Sequence, residues 1–271
     1  MVDLVPMYAV ALPVSLLIFR KVPARQGVSG SKNGVPLKAG QIVRSVFIII
    51  FLTNAGNVVG ILVTRILGAL AGTSTESALG SYAMDTSVWL QILFMSVVGP
   101  FFEELIFRKL LIDRMSCYGG KLAVVTSALM FGLSHGNLSQ FFYTFAMGLL
   151  CGYIYLKTGR LRYSAGLHMG INFLGVMESF VMLSMVSLPD GVGDMTVRQL
   201  VMALVMVIGI VAVVAATIIG LVMFNRARKT VLYENEPLEI PKGSRFRTAY
   251  CNIGMALFVL ACVIMFVTSL I

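Results

Sequence analysis

The chain has 271 residues, of which 58% are hydrophobic and only 12% charged, with a mean hydropathy of +0.91. Soluble proteins average about 45–50% apolar and about 25% charged residues, so neither a soluble domain nor a disordered chain fits, and the bilayer must act as solvent. In such a chain the net charge of +9 reports membrane orientation before it reports nucleic acid, and no nucleic-acid partner is expected.

Apolar runs at residues 4–19, 42–67, 88–107, 122–141, 142–157, 163–186, 197–224 and 249–271 predict about eight transmembrane helices, an all-α polytopic bundle forming one integral-membrane domain over 1–271. The first run has Asp3 before it and Arg20, Lys21 and Arg25 after it. That is the reverse of a signal peptide, so this segment is predicted to be retained. The weakest break is Gly136–Gln140, where flanking charge is absent, and either a loop or a re-entrant turn fits there. Cys117, Cys151, Cys251 and Cys262 form no CxxC and read as small buried residues, without a disulfide framework or zinc knuckle.

Basic residues are distributed unevenly. Of the 21 Lys and Arg, only Arg65 and Arg198 fall in one set of alternating loops, which also holds Glu76, Asp85, Asp190 and Asp194. The other set carries the rest, so by the positive-inside rule those loops are expected to be cytoplasmic and both termini outside a cell membrane crossed many times.

Polar residues inside apolar runs are costly and therefore informative. In GPFFEELIFRKLL, Arg108 lies one turn beyond Glu104 on the same helical face and can pair with it, while Glu103 points about 100° away and is left free to act as a base. Pro100 removes an amide hydrogen one turn earlier, so a kink or local opening is expected. The alternative reading is a cluster snorkelling where the helix leaves the bilayer. Phe131 and His135 are spaced one turn apart in the fourth run, as are His168 and Asn172 in the sixth, and these are the chain's two histidines. Each residue read alone suits an interhelical hydrogen bond as well as a catalytic role. Two GxxxG pairs, Gly148 with Gly152 and Gly166 with Gly170, read as close packing of the fifth and sixth helices, and Asn54, Gly56, Asn57 and Gly60 as packing of the second. His135 stands fourteen residues past Lys121, about 21 Å of helix, so the fourth helix must begin beyond the membrane edge or be tilted.

The ordered set EExxxR, FxxxH and HxxxN, made by Glu103, Glu104, Arg108, Phe131, His135, His168 and Asn172, resembles the CPBP family, the CAAX-protease and bacteriocin-processing (Abi) intramembrane proteases. The resemblance covers about residues 99–175. It implies a four-helix catalytic core, placed at about 88–186, and hydrolysis of a peptide bond in a membrane-associated, prenylated or leader-bearing substrate. It also implies roles: Glu103 as general base on a water shared with His135, His168 and Asn172 as donors to the oxyanion, and Glu104, Arg108 and Phe131 as support for these. The resemblance further leaves a choice of cofactor. No metal is expected, and zinc on Glu103, His135 and His168 is the alternative; HExxH is absent. A catalytically silent scaffold or bacteriocin-immunity protein and a small proton-coupled transporter compete with the protease reading, although no internal repeat of the transporter kind is found.

The orientation has a direct check. In a cysteine-free background, a cysteine placed at Asp190 should react with an impermeant thiol reagent in intact cells, and one placed within residues 225–248 should be protected. The opposite pattern overturns the sidedness.

Overall fold

The computed structural model describes residues 12–20, 22, 35–72, 87–185, 196–227 and 241–268. The acidic loop residues Glu76, Asp85, Asp190 and Asp194 lie outside these. Among the described residues the chain is helical without strands: α1 (Leu12–Phe19), α2 (Ala39–Ala71), α3 (Val88–Tyr118), α4 (Gly120–Leu133), α5 (Leu138–Thr158), α6 (Leu161–Met185), α7 (Val197–Ala227), α8 (Arg245–Tyr250) and α9 (Ile253–Thr268). Each of the eight apolar runs thus carries a helix. Ala39–Leu70, Val88–Tyr118 and Gln199–Ala227 are by themselves long and apolar enough to cross a membrane, while Gly120–Leu133 and Ile253–Thr268 are apolar but shorter. The result is an all-α membrane bundle.

Because lipid tails are as apolar as leucine, burial of side chains does not drive these helices together; close van der Waals packing does. The contacts lie where glycines admit it. A Cβ on Gly56 would fall 2.5 Å from Tyr143 Cα, and one on Gly60 would strike the Ser139 carbonyl, so α2 lies backbone against backbone on α5. Asn54 Nδ2 donates to Thr217 Oγ1 of α7 at 2.8 Å. The packing reading of this part of α2 holds at Asn54, Gly56 and Gly60, whereas Asn57 is exposed. A core of Ile49, Phe131, Met147, Cys151, Ile154 and Leu167 then forms where α2, α4, α5 and α6 meet.

The two later GxxxG pairs divide. Gly148 packs on Ala128 of α4 and Gly152 on Val124, which joins α5 to α4 rather than to α6. Around Gly166 and Gly170 there is nothing within 4 Å, so the expected α5–α6 glycine interface is not formed. A GxxxG spacing marks a smooth surface and does not choose the partner. The cysteine expectation also needs correcting at one position: Cys151 and Cys262 are buried, but Cys251 is exposed.

Two turns set the height of the site. Gly119, at φ +128°, reverses the chain between α3 and α4. Glu103 lies sixteen residues before it and His135 sixteen after, on the two arms of this antiparallel hairpin. Ser127 Oγ donates to the Phe107 carbonyl at 2.7 Å and ties α4 to α3. The second turn, at 134–137, is a plain helix–helix connection. Gly136 adopts φ +62°, where a Cβ would be strained, and the Asn137 side chain accepts from Ser139 N to cap α5. The fifth helix therefore starts at Leu138 rather than at 142.

Substitution of Gly56 by Ile should force α2 off α5 and cost at least about 1–3 kcal/mol, read as a lower melting temperature in detergent. Gly170→Ala, facing open space, should leave that temperature where it is.

Candidate active site

The helix that carries the glutamates is not a uniform α-helix. Residues Ile92–Val98 are π-helical, Gly99–Glu104 return to α, and Leu105–Ile112 widen again. Pro100 accounts for the first departure: its ring would meet the Ser96 carbonyl in an α-helix, and widening the preceding turn avoids that clash. The expected opening before the glutamates is therefore a π-helical stretch.

Arg108 Nη2 lies 3.0 Å from Glu104 Oε1, both side chains fully buried. The same Glu104 oxygen is 3.1 Å from His168 Nδ1, and the other ring nitrogen, Nε2, lies 3.6 Å from Glu103 Oε2. One imidazole thus stands between two carboxylates from adjacent positions. Glu104 is sealed, whereas Glu103 keeps 18% of its side chain exposed. A carboxylate facing Arg108 can only accept, so His168 Nδ1 donates to Glu104. Nε2 of a neutral ring then carries a lone pair, and its approach to Glu103 is favourable when a proton sits on Nε2 or on the Glu103 carboxyl.

Phe131 is the apolar centre of the cluster. It is fully buried, with the Arg108 guanidinium 4.7 Å from its ring centre. Its ring meets those of His135 and His168 nearly at right angles, with centroids 4.9 and 5.5 Å apart. His135 Nδ1 lies 2.9 Å from the Phe131 carbonyl. That contact requires an N–H on Nδ1, so Nε2 is left as an acceptor able to take a hydrogen bond from water. Glu103 is within electrostatic reach of both His135 and Tyr143.

Six of the seven residues singled out in the sequence are thus gathered: Glu103, Glu104, Arg108, Phe131, His135 and His168. Asn172 stands one turn beyond His168 and gives its amide to a backbone carbonyl, that of Met95, at 2.9 Å. Two further neighbours were not anticipated. Ser164 is buried one turn before His168, with its hydroxyl on the Leu161 carbonyl at 3.1 Å, and Tyr143 of α5 lies within electrostatic reach of Glu103. For Ser164 a signal existed, since Ser164, His168 and Asn172 repeat every four residues on one face; nothing in the sequence marks Tyr143.

Glu103 and His168 are neighbours, but among the described residues no group of three or more His, Cys, Asp or Glu is arranged to hold a metal ion. The arrangement offers two acceptors to a polar molecule, the partly exposed Glu103 carboxylate and His135 Nε2. A groove of about 820 Å³ lined by residues including Lys121, Val125, Arg245 and Phe246 lies elsewhere and shares no residue with the cluster.

Removing one partner of a buried pair strands the other charge, at about 3–5 kcal/mol. Arg108→Ala should therefore lose folded protein as well as activity, measured as yield and melting temperature in detergent. Arg108→Lys should recover only part of this, because an ammonium keeps the charge but not the flat contact with Phe131.

Residues 85–174, about a third of the chain, match the family described as type II CAAX prenyl endopeptidase, Rce1-like. The chain is 27% identical over 176 residues to YdiL of Bacillus subtilis (strain 168), assigned as a membrane peptidase, covering 63% of this chain and 69% of that one. It is 29% identical over 119 residues to the membrane-embedded CAAX protease MroQ of Staphylococcus aureus (strain USA300), covering 41% of this chain and 47% of the relative. No solved structure matches.

Proposed function

We propose that this chain, whose residues 85–174 belong to the CPBP family of membrane proteases, is an active intramembrane endopeptidase that hydrolyses a peptide bond in a membrane-associated substrate, prenylated or leader-bearing, by water activated at Glu103. The observation that carries this reading is the division of labour between the two adjacent glutamates. Glu104 is sealed, paired with Arg108 and committed to His168, whereas Glu103 keeps 18% of its side chain exposed.

In the proposed reaction a water donates one hydrogen bond to Glu103 and the other to His135 Nε2, and its oxygen attacks the scissile carbonyl carbon. Glu103 takes the proton as the carbon–oxygen bond forms. That proton then passes to the amide nitrogen as the carbon–nitrogen bond breaks, so the products are a carboxylic acid and an amine. His168, oriented by Glu104, shares the proton of Glu103 between these steps and faces the developing oxyanion when protonated at Nε2. No step needs a metal ion. In this reading the protein lies in the cell membrane with its basic loops cytoplasmic and both termini outside, so that substrate reaches the site from the cytoplasmic leaflet or laterally through lipid.

The test compares peptides released from membranes of cells expressing the intact protein and variants, followed by assay of the purified protein on one identified substrate. Glu103→Gln and His135→Ala should each abolish cleavage, and the double variant should be no worse than either, because groups acting on one water are not additive. Full activity in Glu103→Gln would remove this site from the reaction. Stoichiometric zinc lost together with activity in His168→Ala would replace glutamate-activated water with a metal-bound one.

A further inference from the structure

Within Ile92–Val98 the backbone donors reach five residues back, as the Gly99 N–H does to the Phe94 carbonyl. The next donor in that register would come from residue 100 to the Met95 carbonyl, but residue 100 is proline and has no N–H. A carbonyl without a donor in a membrane-spanning helix is costly, because no water in the hydrocarbon replaces it. The Met95 carbonyl is nevertheless satisfied, by Asn172 Nδ2 at 2.9 Å.

The geometry points to Asn172 as a positioning residue that replaces the amide hydrogen missing at Pro100 and thereby fixes α6 to α3 at the level where His168 meets the two glutamates. Two observations converge on this. Asn172 is one turn from His168 on the same face, so a bond at Met95 constrains the height and rotation of the imidazole. The contacts at His168 and Asn172 tie α6 to two separate points of α3. The rest of the buried face of α6, with Ala165, Leu167 and Val176, makes apolar contacts, while its glycines Gly166, Gly170 and Gly175 would meet nothing within 4 Å. Pro100 opens the helix before the glutamates, and Asn172 supplies the donor that the opening lacks.

This inference rests on the proposed protease reading only for its activity arm, so the test has a stability arm that needs no substrate. Pro100→Ala restores an N–H that can reach Met95 O, which should make Asn172 dispensable. Asn172→Ala should lower the melting temperature of the substrate-free protein in detergent by at least about 2–4 °C in the Pro100 background. In the Pro100→Ala background it should change the temperature little. Cleavage should follow the same pattern, with kcat falling at least tenfold in Asn172→Ala at similar KM and recovering in the double variant. A residue that only donates to an oxyanion would lose about 10²–10³ in rate in both backgrounds and leave the melting temperature unchanged. Should Pro100→Ala fail to fold, Asn172→Asp decides the matter in the wild-type background. It keeps the volume but sets an acceptor against Met95 O, and should melt lower than Asn172→Ala. Wild-type melting temperatures for Asn172→Ala and Asn172→Asp overturn the inference, whatever becomes of catalysis.

Discussion

A guanidinium buried among apolar helices leaves its neighbours little freedom, and Arg108 is such a group, with no exposed surface and Glu104 at 3.0 Å. At an effective dielectric of about 20 the attraction of such a pair is about 4 kcal/mol at 4 Å, against several kcal/mol of lost hydration for each ion. The two effects nearly cancel, so the pair adds little net stability. What it adds is position, since any displacement of either group leaves a charge uncompensated. With Glu104 immobile, its oxygen holds His168 Nδ1, and the ring can then present only Nε2 toward Glu103. On its other side Arg108 lies over Phe131, which both histidine rings meet edge to face. The placement of every ionisable group in the cluster follows from where this one cation is buried.

What could be seen beforehand depended on sequence distance. The Glu104–Arg108 pair is a one-turn spacing on one helix, and the separate direction of Glu103 follows from the same geometry. The bond from His168 to Glu104 joins positions 64 apart and has no local signature; only the resemblance of motifs brought those residues together beforehand.

Glycine and proline were legible in kind but not in outcome. Pro100 announced a disturbed helix, yet a kink and a π-helical widening satisfy the same steric demand, and the choice between them depends on whether a partner exists for the freed carbonyl. Asn172, 77 residues away in sequence, is that partner. The GxxxG spacings likewise identified surfaces that admit close approach. Of the two later pairs, Gly148 and Gly152 are met by a neighbour, because the face of α4 opposite them carries small residues such as Ala128 and the face bearing Gly166 and Gly170 points away from the bundle.

The shortness of α4 ties the fold to hydrolysis. Its fourteen residues extend about 21 Å, against a hydrocarbon thickness of about 30 Å. On the expectation that α4 begins at the membrane edge near Lys121, it ends inside, and the irregular backbone at 134–137 then stands at membrane depth beside His135. Such backbone persists in a membrane only where protein covers it or where it borders water. Cover is partial here. Met265 of α9 closes over Gly136 and Asn137 satisfies Ser139 N, but Ser134 is exposed and His135 only half-buried. The uncovered side of the turn is thus the one that must border water, and Glu103 is the glutamate of the cluster that keeps exposed surface, 18% of its side chain. A longer α4 would bury that turn's polar groups in helix and leave Glu103 without the water its proposed reaction consumes.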